Sequence, residues 1–332
     1  MSVIGVLGAG SWGTTLANLL ATAGHDVRLW AYEAEVVEAI NRDHQNPVFL
    51  PGRPLDPRLQ ATADPTVAIR SAECVLAVTP SHVSRTVLAR IAPGLPPDLL
   101  VVSATKGIET ESLKLMHEVA DDVLPPHRFV ALSGPSFALE VHAGQPTAVV
   151  AASTDAEAAR AVQELFSIAR FRVYSNADVV GTELAGSLKN VIAIAAGIAQ
   201  GLGLGHNPRA ALITRGLAEI TRLGLALGAD RQTFAGLAGL GDLVLTTSGA
   251  LSRNRSLGEA LAKGTRLADY QRSHQSVAEG VNTARAAVRL AERRGVEMPI
   301  TEKVHAILFG DLTPKQAIAD LMERTPKPEQ WT

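Results

Sequence analysis

The chain has 332 residues, of which 46% are hydrophobic and 19% charged, which is enough for a large core or for two domains. Its formal net charge of −2 supplies neither the basic field that nucleic-acid binding needs nor a polybasic face for a membrane, so small molecules and proteins remain as partners. The single cysteine, Cys74, lies inside the apolar run ECVLAV; this rules out an intrachain disulfide and fits a reducing compartment, the cytoplasm by default.

The opening MSVIGVLGAG lacks a basic region followed by an apolar stretch and a small-residue cleavage site, and it is too glycine-rich for a membrane span, so no targeting segment is expected. Residues 3–8, VIGVLG, read as a first strand that runs straight into GAGSWG. There Gly8, Gly10 and Gly13 form a G-x-G-x-x-G at the start of a helix predicted over 11–23. Such glycines allow a tight turn and let backbone N–H groups approach a pyrophosphate at the positive end of the helix. The string alone is weak. Here a strand precedes it, a helix follows it, and Glu33 stands 20 residues after Gly13, just past a second strand at 26–30; that context points to dinucleotide binding. Glu33 reads either as an acceptor for a ribose 2′-OH, which favours NAD, or as a solvated loop acid. Tyr32 is placed to stack near adenine. No arginine occurs in WAYEAE, so no dedicated 2′-phosphate site is visible and the choice between NAD and NADP stays open.

Further apolar runs at 74–78, 99–104, 128–133, 147–152 and 170–175 read as strands, with helical patterns at 83–91 and 110–123 between them. This is the alternation of a parallel sheet covered by helices. Polar loops follow several of these strands: TPSH at 79–82, TKGIE at 105–109 and SGPSFALE at 133–140. Open α/β sheets bind ligands beyond the carboxyl ends of their strands, so these loops are expected to converge on the cofactor. Lys106 reads as a ligand-facing cation or as a surface-loop lysine. Gly134 and Ser136 read as an N–H and a hydroxyl aimed at a substrate, or as an ordinary proline-primed helix start.

After about residue 180 the strand signals stop, and helical periodicity covers 180–203, 208–228, 231–238, 254–263, 280–294, 299–309 and 314–323. The shift predicts an α/β domain over 1–180 and an all-α domain over 181–332. The first of these helices carries LAGSLKNVIAIAAG, with Lys189 as its one charge. A lone lysine in such a helix can snorkel to water along its own stem. Small neighbours at Ala185, Gly186, Ala193, Ala196 and Gly197 also let another backbone or a cofactor come close, which makes Lys189 a candidate for chemistry. GLGDL at 239–243 places Asp242 between glycines and an apolar run. Ser252, Arg253, Asn254 and Arg255 then crowd hydroxyl, guanidinium and amide donors before a helix, an arrangement that suits a phosphate dianion or a capped, solvated helix start. Glu279 precedes the next helix, where an acid is also favourable to the helix dipole. The histidines show no metal-ligand spacing, and no metal site is expected.

Taken in order, GAGSWG, ATKGIE, SGPSFALEV, ELAGSLKNVIAIAAG, LITRGLAEI, GLGDLVLT, LSRNRSLG, VAEGV and GVEMPIT resemble, over nearly the whole chain, bacterial-type NAD(P)-dependent glycerol-3-phosphate dehydrogenase. The resemblance implies a Rossmann-type α/β domain followed by an all-α domain like that of 6-phosphogluconate dehydrogenase. It implies reversible reduction of dihydroxyacetone phosphate to sn-glycerol 3-phosphate with NAD or NADP, supply of the phospholipid precursor, and a cytoplasmic homodimer. Motif by motif, it assigns Gly8, Gly10, Ser11, Trp12, Gly13, Tyr32, Lys106, Ala138, Arg253, Val277 and Glu279 to the dinucleotide. It assigns Lys106, Gly134, Ser136, Lys189, Asp242, Ser252, Arg253 and Asn254 to the substrate, with Lys189 as general acid/base, Lys106 as electrostatic stabiliser and Asp242 as orienting acid. The substrate is then expected to bridge the two domains, with closure around it. Two positions depart from the pattern: Tyr32, where some relatives carry His or Arg, and Thr247, where relatives often have another small residue. The competing readings are a hydroxy-acid dehydrogenase of the same architecture, with a carboxylate near Arg253, and a regulatory protein that holds dinucleotide without turnover.

Overall fold

The computed structural model describes residues 1–273 and 278–329. The chain divides into two compact units, one formed by Met1–Lys106 with Lys114–Glu183 and the other by Gly107–Leu113 with Leu184–Thr332.

The first unit is built on ten strands: β1 (Val3–Leu7), β2 (Asp26–Trp30), β3 (Gln45–Asn46), β4 (Leu50–Pro54), β5 (Gln60–Thr62), β6 (Cys74–Ala77), β7 (Leu99–Ser103), β8 (His127–Ser133), β9 (Thr147–Ala152) and β10 (Phe171–Asn176). Eight of them form one sheet in the order β10-β9-β8-β7-β6-β1-β2-β5, and β3 and β4 pair as a separate hairpin. Strands β5 to β8 in that order are parallel, with registers such as Leu7↔Trp30 and Leu7↔Ala77 on either side of β1. Successive side chains point to opposite faces, and the apolar runs therefore feed two cores. Val6, Cys74, Leu76 and Val102 pack on one face with Leu16 and Leu20 of the helix Ser11–Thr22, while Leu7, Val75, Ala77 and Val101 pack on the other with Val87, Ile91 and Val119.

The sheet is not wholly parallel. Strand β9 runs antiparallel to β8, with Ala131 opposite Ala152 and Ser133 opposite Val150, and β10 then follows β9 in parallel. After β8 the chain makes only a short helix, Ala138–His142, held by a hydrogen bond from Thr15 Oγ1 to the Ala138 carbonyl (3.3 Å). A parallel return needs a longer crossover, so the chain re-enters from the end it has just left. A second difference lies at 110–123, where the helix is confined to Met116–Val123. Upstream of it Leu113 has a left-handed φ of 64°, Ser112 bonds Glu109, and Arg289 Nη1 donates to the Thr110 carbonyl at 2.7 Å. The last of these engages a carbonyl that a longer helix needs for its own ladder.

The second unit consists of helices. The longest, Val179–Gly201, starts in the first unit and continues into the second. Its entry is braced inside the first unit by Glu183, which accepts from the backbone N–H of His117 (3.1 Å) and pairs with its Nδ1 (2.6 Å). This helix is long and apolar enough to cross a bilayer, but 89% of its most apolar window is buried in the protein, which makes it a core helix. Val191, Ile194 and Ile198 line one face of it and pack on Leu257, Leu261, Val281, Ala284 and Val304. Its small residues have a mechanical purpose. A Cβ on Gly197 would lie 1.9 Å from the Arg255 carbonyl, and one on Gly258 would lie 2.1 Å from the Ile194 carbonyl, so this helix and Arg253–Ala262 cross backbone to backbone. Gly197→Ala is therefore expected to destabilise the protein by about 1–3 kcal/mol through overpacking, read as a lower urea midpoint.

The helix His206–Ala226 carries Glu219, which is buried and accepts from Ile300 N (2.7 Å), Thr301 N (3.2 Å) and Thr301 Oγ1 (3.2 Å). It thus caps the start of the helix Pro299–Phe309 from outside that helix. Burial pushes its carboxyl up to about 7, against the pull of those donors and of Arg222. A carboxyl whose folded pKa lies above its unfolded value of 4.5 adds no pH dependence below that value and costs stability progressively as pH rises through 7. The urea midpoint is expected to fall between pH 4.5 and 7 more steeply in the natural chain than in Glu219→Gln, where this component is absent.

Candidate active site

In the first unit the glycine loop joins β1 to the helix Ser11–Thr22. Gly8 has φ 111°, and a Cβ there would meet the Val78 carbonyl at 2.9 Å. A Cβ on Gly13 would lie 1.9 Å from the Gly8 carbonyl, so the helix can start this close to the strand only with glycine. A Cβ on Gly10, in contrast, would meet nothing within 4 Å. Gly10 stands at the N-cap with no side-chain cap and no acid in the first turn, so the start of the helix presents backbone N–H groups and a positive dipole end toward open space. The loop is held from behind by Asn46, fully buried, whose Nδ2 donates to the Ala9 carbonyl (2.8 Å) and to Thr14 Oγ1 (2.9 Å). Ser11 Oγ donates to the Phe49 carbonyl (2.7 Å). The indole N–H of Trp12 is buried without a hydrogen-bond partner. Tyr32, at the end of β2, is 85% exposed. These residues fit the pyrophosphate and adenosine of a dinucleotide.

The next strands of the sheet deliver their own loops. Thr105 Oγ1 donates to the Thr79 carbonyl (2.8 Å), which ties the ends of β6 and β7 together. Lys106 Nζ donates to the Gly134 carbonyl (3.1 Å), and Ser136 Oγ donates to the same oxygen (2.9 Å). Lys106, Gly134 and Ser136 thus come together at the carboxyl ends of β7 and β8, and Ala138 follows as the first residue of the short helix against Thr15.

In the second unit Lys189 is 7% exposed and Asp242 fully buried. Lys189 Nζ donates to Asp242 Oδ1 and to Thr246 Oγ1, the latter at 2.9 Å. Asp242 opens the helix Asp242–Ser248 directly after a π-helical turn at Leu237–Gly241, a local widening of the kind often found at functional sites. Beside Lys189, Asn190 Oδ1 accepts from Asn254 Nδ2 (3.0 Å), and Asn254 Oδ1 accepts from Gly280 N (3.0 Å). This chain of bonds brings together the helices that carry Lys189, Asn254 and Glu279.

Ser252 and its neighbours divide by role. The Ser252 hydroxyl caps its helix by accepting from Arg255 N (3.3 Å). Arg255 is buried and spends its guanidinium on the Gly249 carbonyl (3.0 Å), Gln200 and Glu259, so it braces the fold. Arg253 keeps accessible surface, yet desolvation holds its guanidinium below the ordinary arginine pKa, with Glu279 and then Tyr270 opposing. Val277 lies outside the described residues. Among those described, no three His, Cys, Asp or Glu side chains gather as a metal site. Sequence reasoning passed over Asn46, Asn190 and Thr246. Of these, Thr246 was signalled by its place four residues after Asp242 on one helix face, whereas the other two gain partners only through the tertiary fold.

A Rossmann-type unit with an open glycine cradle, followed by a helical unit with a buried lysine–aspartate pair, defines a nicotinamide-dependent oxidoreductase of the two-domain dehydrogenase class. Residues 3–159 match the family model of the NAD-dependent glycerol-3-phosphate dehydrogenase N-terminus, and residues 178–319 match that of its C-terminus. The chain belongs to the NAD-dependent glycerol-3-phosphate dehydrogenase family. It is 58% identical over 331 residues to glycerol-3-phosphate dehydrogenase [NAD(P)+] of Geobacter sulfurreducens, covering 99% of both chains. It is 54% identical over 336 residues to the protein of the same name from Koribacter versatilis, covering 100% of both. Among solved structures, glycerol-3-phosphate dehydrogenase of Coxiella burnetii is 42% identical and superposes with a TM-score of 0.94, covering 97% of this chain and 98% of that one.

The burial of the pair gives a stability test. Lys189→Ala strands a carboxylate in the interior and is expected to cost about 3–5 kcal/mol, whereas Lys189→Met with Asp242→Leu, which removes both charges, is expected to recover most of that loss. Urea denaturation of the natural chain, the single variant and the double variant reads the difference.

Proposed function

We propose that this chain reduces dihydroxyacetone phosphate reversibly to sn-glycerol 3-phosphate with NADH or NADPH, and so supplies the glycerophospholipid precursor. The observation that carries the reading is the end-to-end identity with relatives of that name. The buried Lys189 ammonium is the chemical feature that the reaction requires. When bound, the reduced nicotinamide supplies the hydride. Negative charge then develops on the oxygen of the reacting carbonyl, and the protein must stabilise it and deliver a proton.

In this reading Lys189 Nζ hands its proton to that oxygen. Asp242 and Thr246 aim the ammonium, since both accept from it. Lys106 adds positive charge near the same oxygen, and Gly134 and Ser136 position the substrate. Ser252, Arg253 and Asn254 hold the phosphate, whose binding energy fixes the carbonyl far from the anchor itself. Gly8, Gly10, Ser11, Trp12, Gly13, Tyr32, Ala138, Arg253, Val277 and Glu279 hold the dinucleotide. We further place the enzyme in the cytoplasm as a homodimer. A reducing compartment is consistent with Cys74, whose thiol is buried and pushed up to about 12 by desolvation.

Lys189→Arg separates chemistry from stability. The guanidinium keeps Asp242 paired but does not release its proton. Turnover of dihydroxyacetone phosphate, followed as absorbance at the nicotinamide band, is expected to fall by about 10²–10⁴ while NADH binding persists. Turnover near that of the natural chain removes Lys189 from proton transfer. Comparable rates with unphosphorylated dihydroxyacetone remove the phosphate from the specificity.

A further inference from the structure

The second unit holds a cavity of about 530 Å³ that the reaction does not use. It is an open groove between the helices His206–Ala226, Pro299–Phe309 and Pro314–Met322, and its size lies within the range of about 300–1,000 Å³ typical of small-molecule sites. Its polarity is graded along one helix face. Pro208, Ala211 and Leu212 line it toward the start of His206–Ala226, and Arg215, Glu219 and Arg222 line it further on, all at the spacing of a single stripe. From Pro208 to Arg222 the stripe covers about 21 Å at 1.5 Å per residue. Val304, Ile307, Ile318 and Leu321 add apolar wall.

Five cations, Arg215, Arg222, Lys303, Arg324 and Lys327, line the groove against two acids, Glu219 and Glu329. Lys303 is paired with Asp320, and Arg324 and Lys327 share the single carboxylate of Glu297. Arg215 gives one bond, at 2.9 Å, to the backbone carbonyl of Glu329, and a guanidinium carries five donors. Glu219, the acid in the stripe, is already engaged by the Ile300 and Thr301 N–H groups. Such a groove complements a molecule with a long apolar chain and an anionic head.

We propose that this groove is a binding site for a free single-chain amphiphile with an anionic head group, of the long-chain carboxylate class. The chain lies along Pro208, Ala211 and Leu212 and the head meets Arg215 and Arg222. Ala195, Ile198 and Ala199 of the Lys189 helix also line the groove, but neither Lys189 nor Asp242 does, and its occupancy does not depend on the catalytic reading.

Isothermal titration of the full chain with sodium laurate, below its micelle concentration, tests it. The expected result is saturable binding of one laurate per chain, weakened by about tenfold or more in Ala211→Trp, which fills the apolar end, and in Arg215→Met, which removes the cation. The neutral 1-dodecanol is expected to bind more weakly by a similar factor, and the turnover of Ala211→Trp is expected to match that of the natural chain. Absence of saturable binding, equal affinity for dodecanol, or unaltered binding in both variants overturns the proposal. So does binding only to phosphatidylglycerol vesicles, which assigns the groove to a membrane surface, or dissociation of a dimer by Ala211→Trp without laurate binding, which assigns it to a second copy of the chain.

Discussion

An ammonium group kept from water must be held by oxygen atoms, and much of the helical unit is arranged around that demand at Lys189. Desolvation of a charge costs several kcal/mol unless a partner of opposite sign and further hydrogen bonds replace the lost water. Asp242 and Thr246 supply both from one short helix. That helix is set by the π-helical turn before it, and Lys189 in turn sits on a helix whose small residues permit a backbone-to-backbone crossing with Arg253–Ala262. Lys189 and Asn254 therefore stand on elements whose relative positions are fixed by glycine contacts and by the Asn190–Asn254–Gly280 bonds.

The first unit meets a different constraint, the approach of backbone N–H groups to an anion. Gly8 and Gly13 are needed for the turn and for the contact of helix with strand, while the space over Gly10 stays open. Asn46 secures the loop from beneath through Ala9 and Thr14. Two kinds of precision thus coexist in the chain: an open, dipolar glycine turn at a helix start and a discrete buried charge pair. The close pairing of Lys189 with Asp242 also means that removing the lysine strands a buried carboxylate, so that only a charge-conserving change separates the proposed chemistry from folding.

Much of this was legible in the sequence. The apolar runs at 3–8, 74–78 and 99–104 are strands because continuous Val, Ile and Leu demand burial on both faces, and the glycine motif was readable from its place between strand and helix. Lys189 stood out as the one charge in the run LAGSLKNVIAIAAG. Less visible were the antiparallel return of β9, the shortened helix at Met116–Val123 and the helix that begins at Asp242. In each case the deciding factor was a contact remote in sequence or a glycine-rich stretch: Thr15 on Ala138, Arg289 on Thr110, and the π-helical turn at Leu237–Gly241.

By itself, then, the sequence determined seven of the sheet's strands, the α/β-to-α order and the chemical types that gather at the strand ends, because burial, turn formation and helix periodicity are local properties of the chain. Only the tertiary structure decided which donors and acceptors meet. It gave Thr246 to Lys189, Asn254 to Asn190 and Gly280, and Arg255 to the scaffold while leaving Arg253 accessible. The physical reason is that a buried polar group must find a partner wherever the packed backbones place one, and that position is a property of the whole fold.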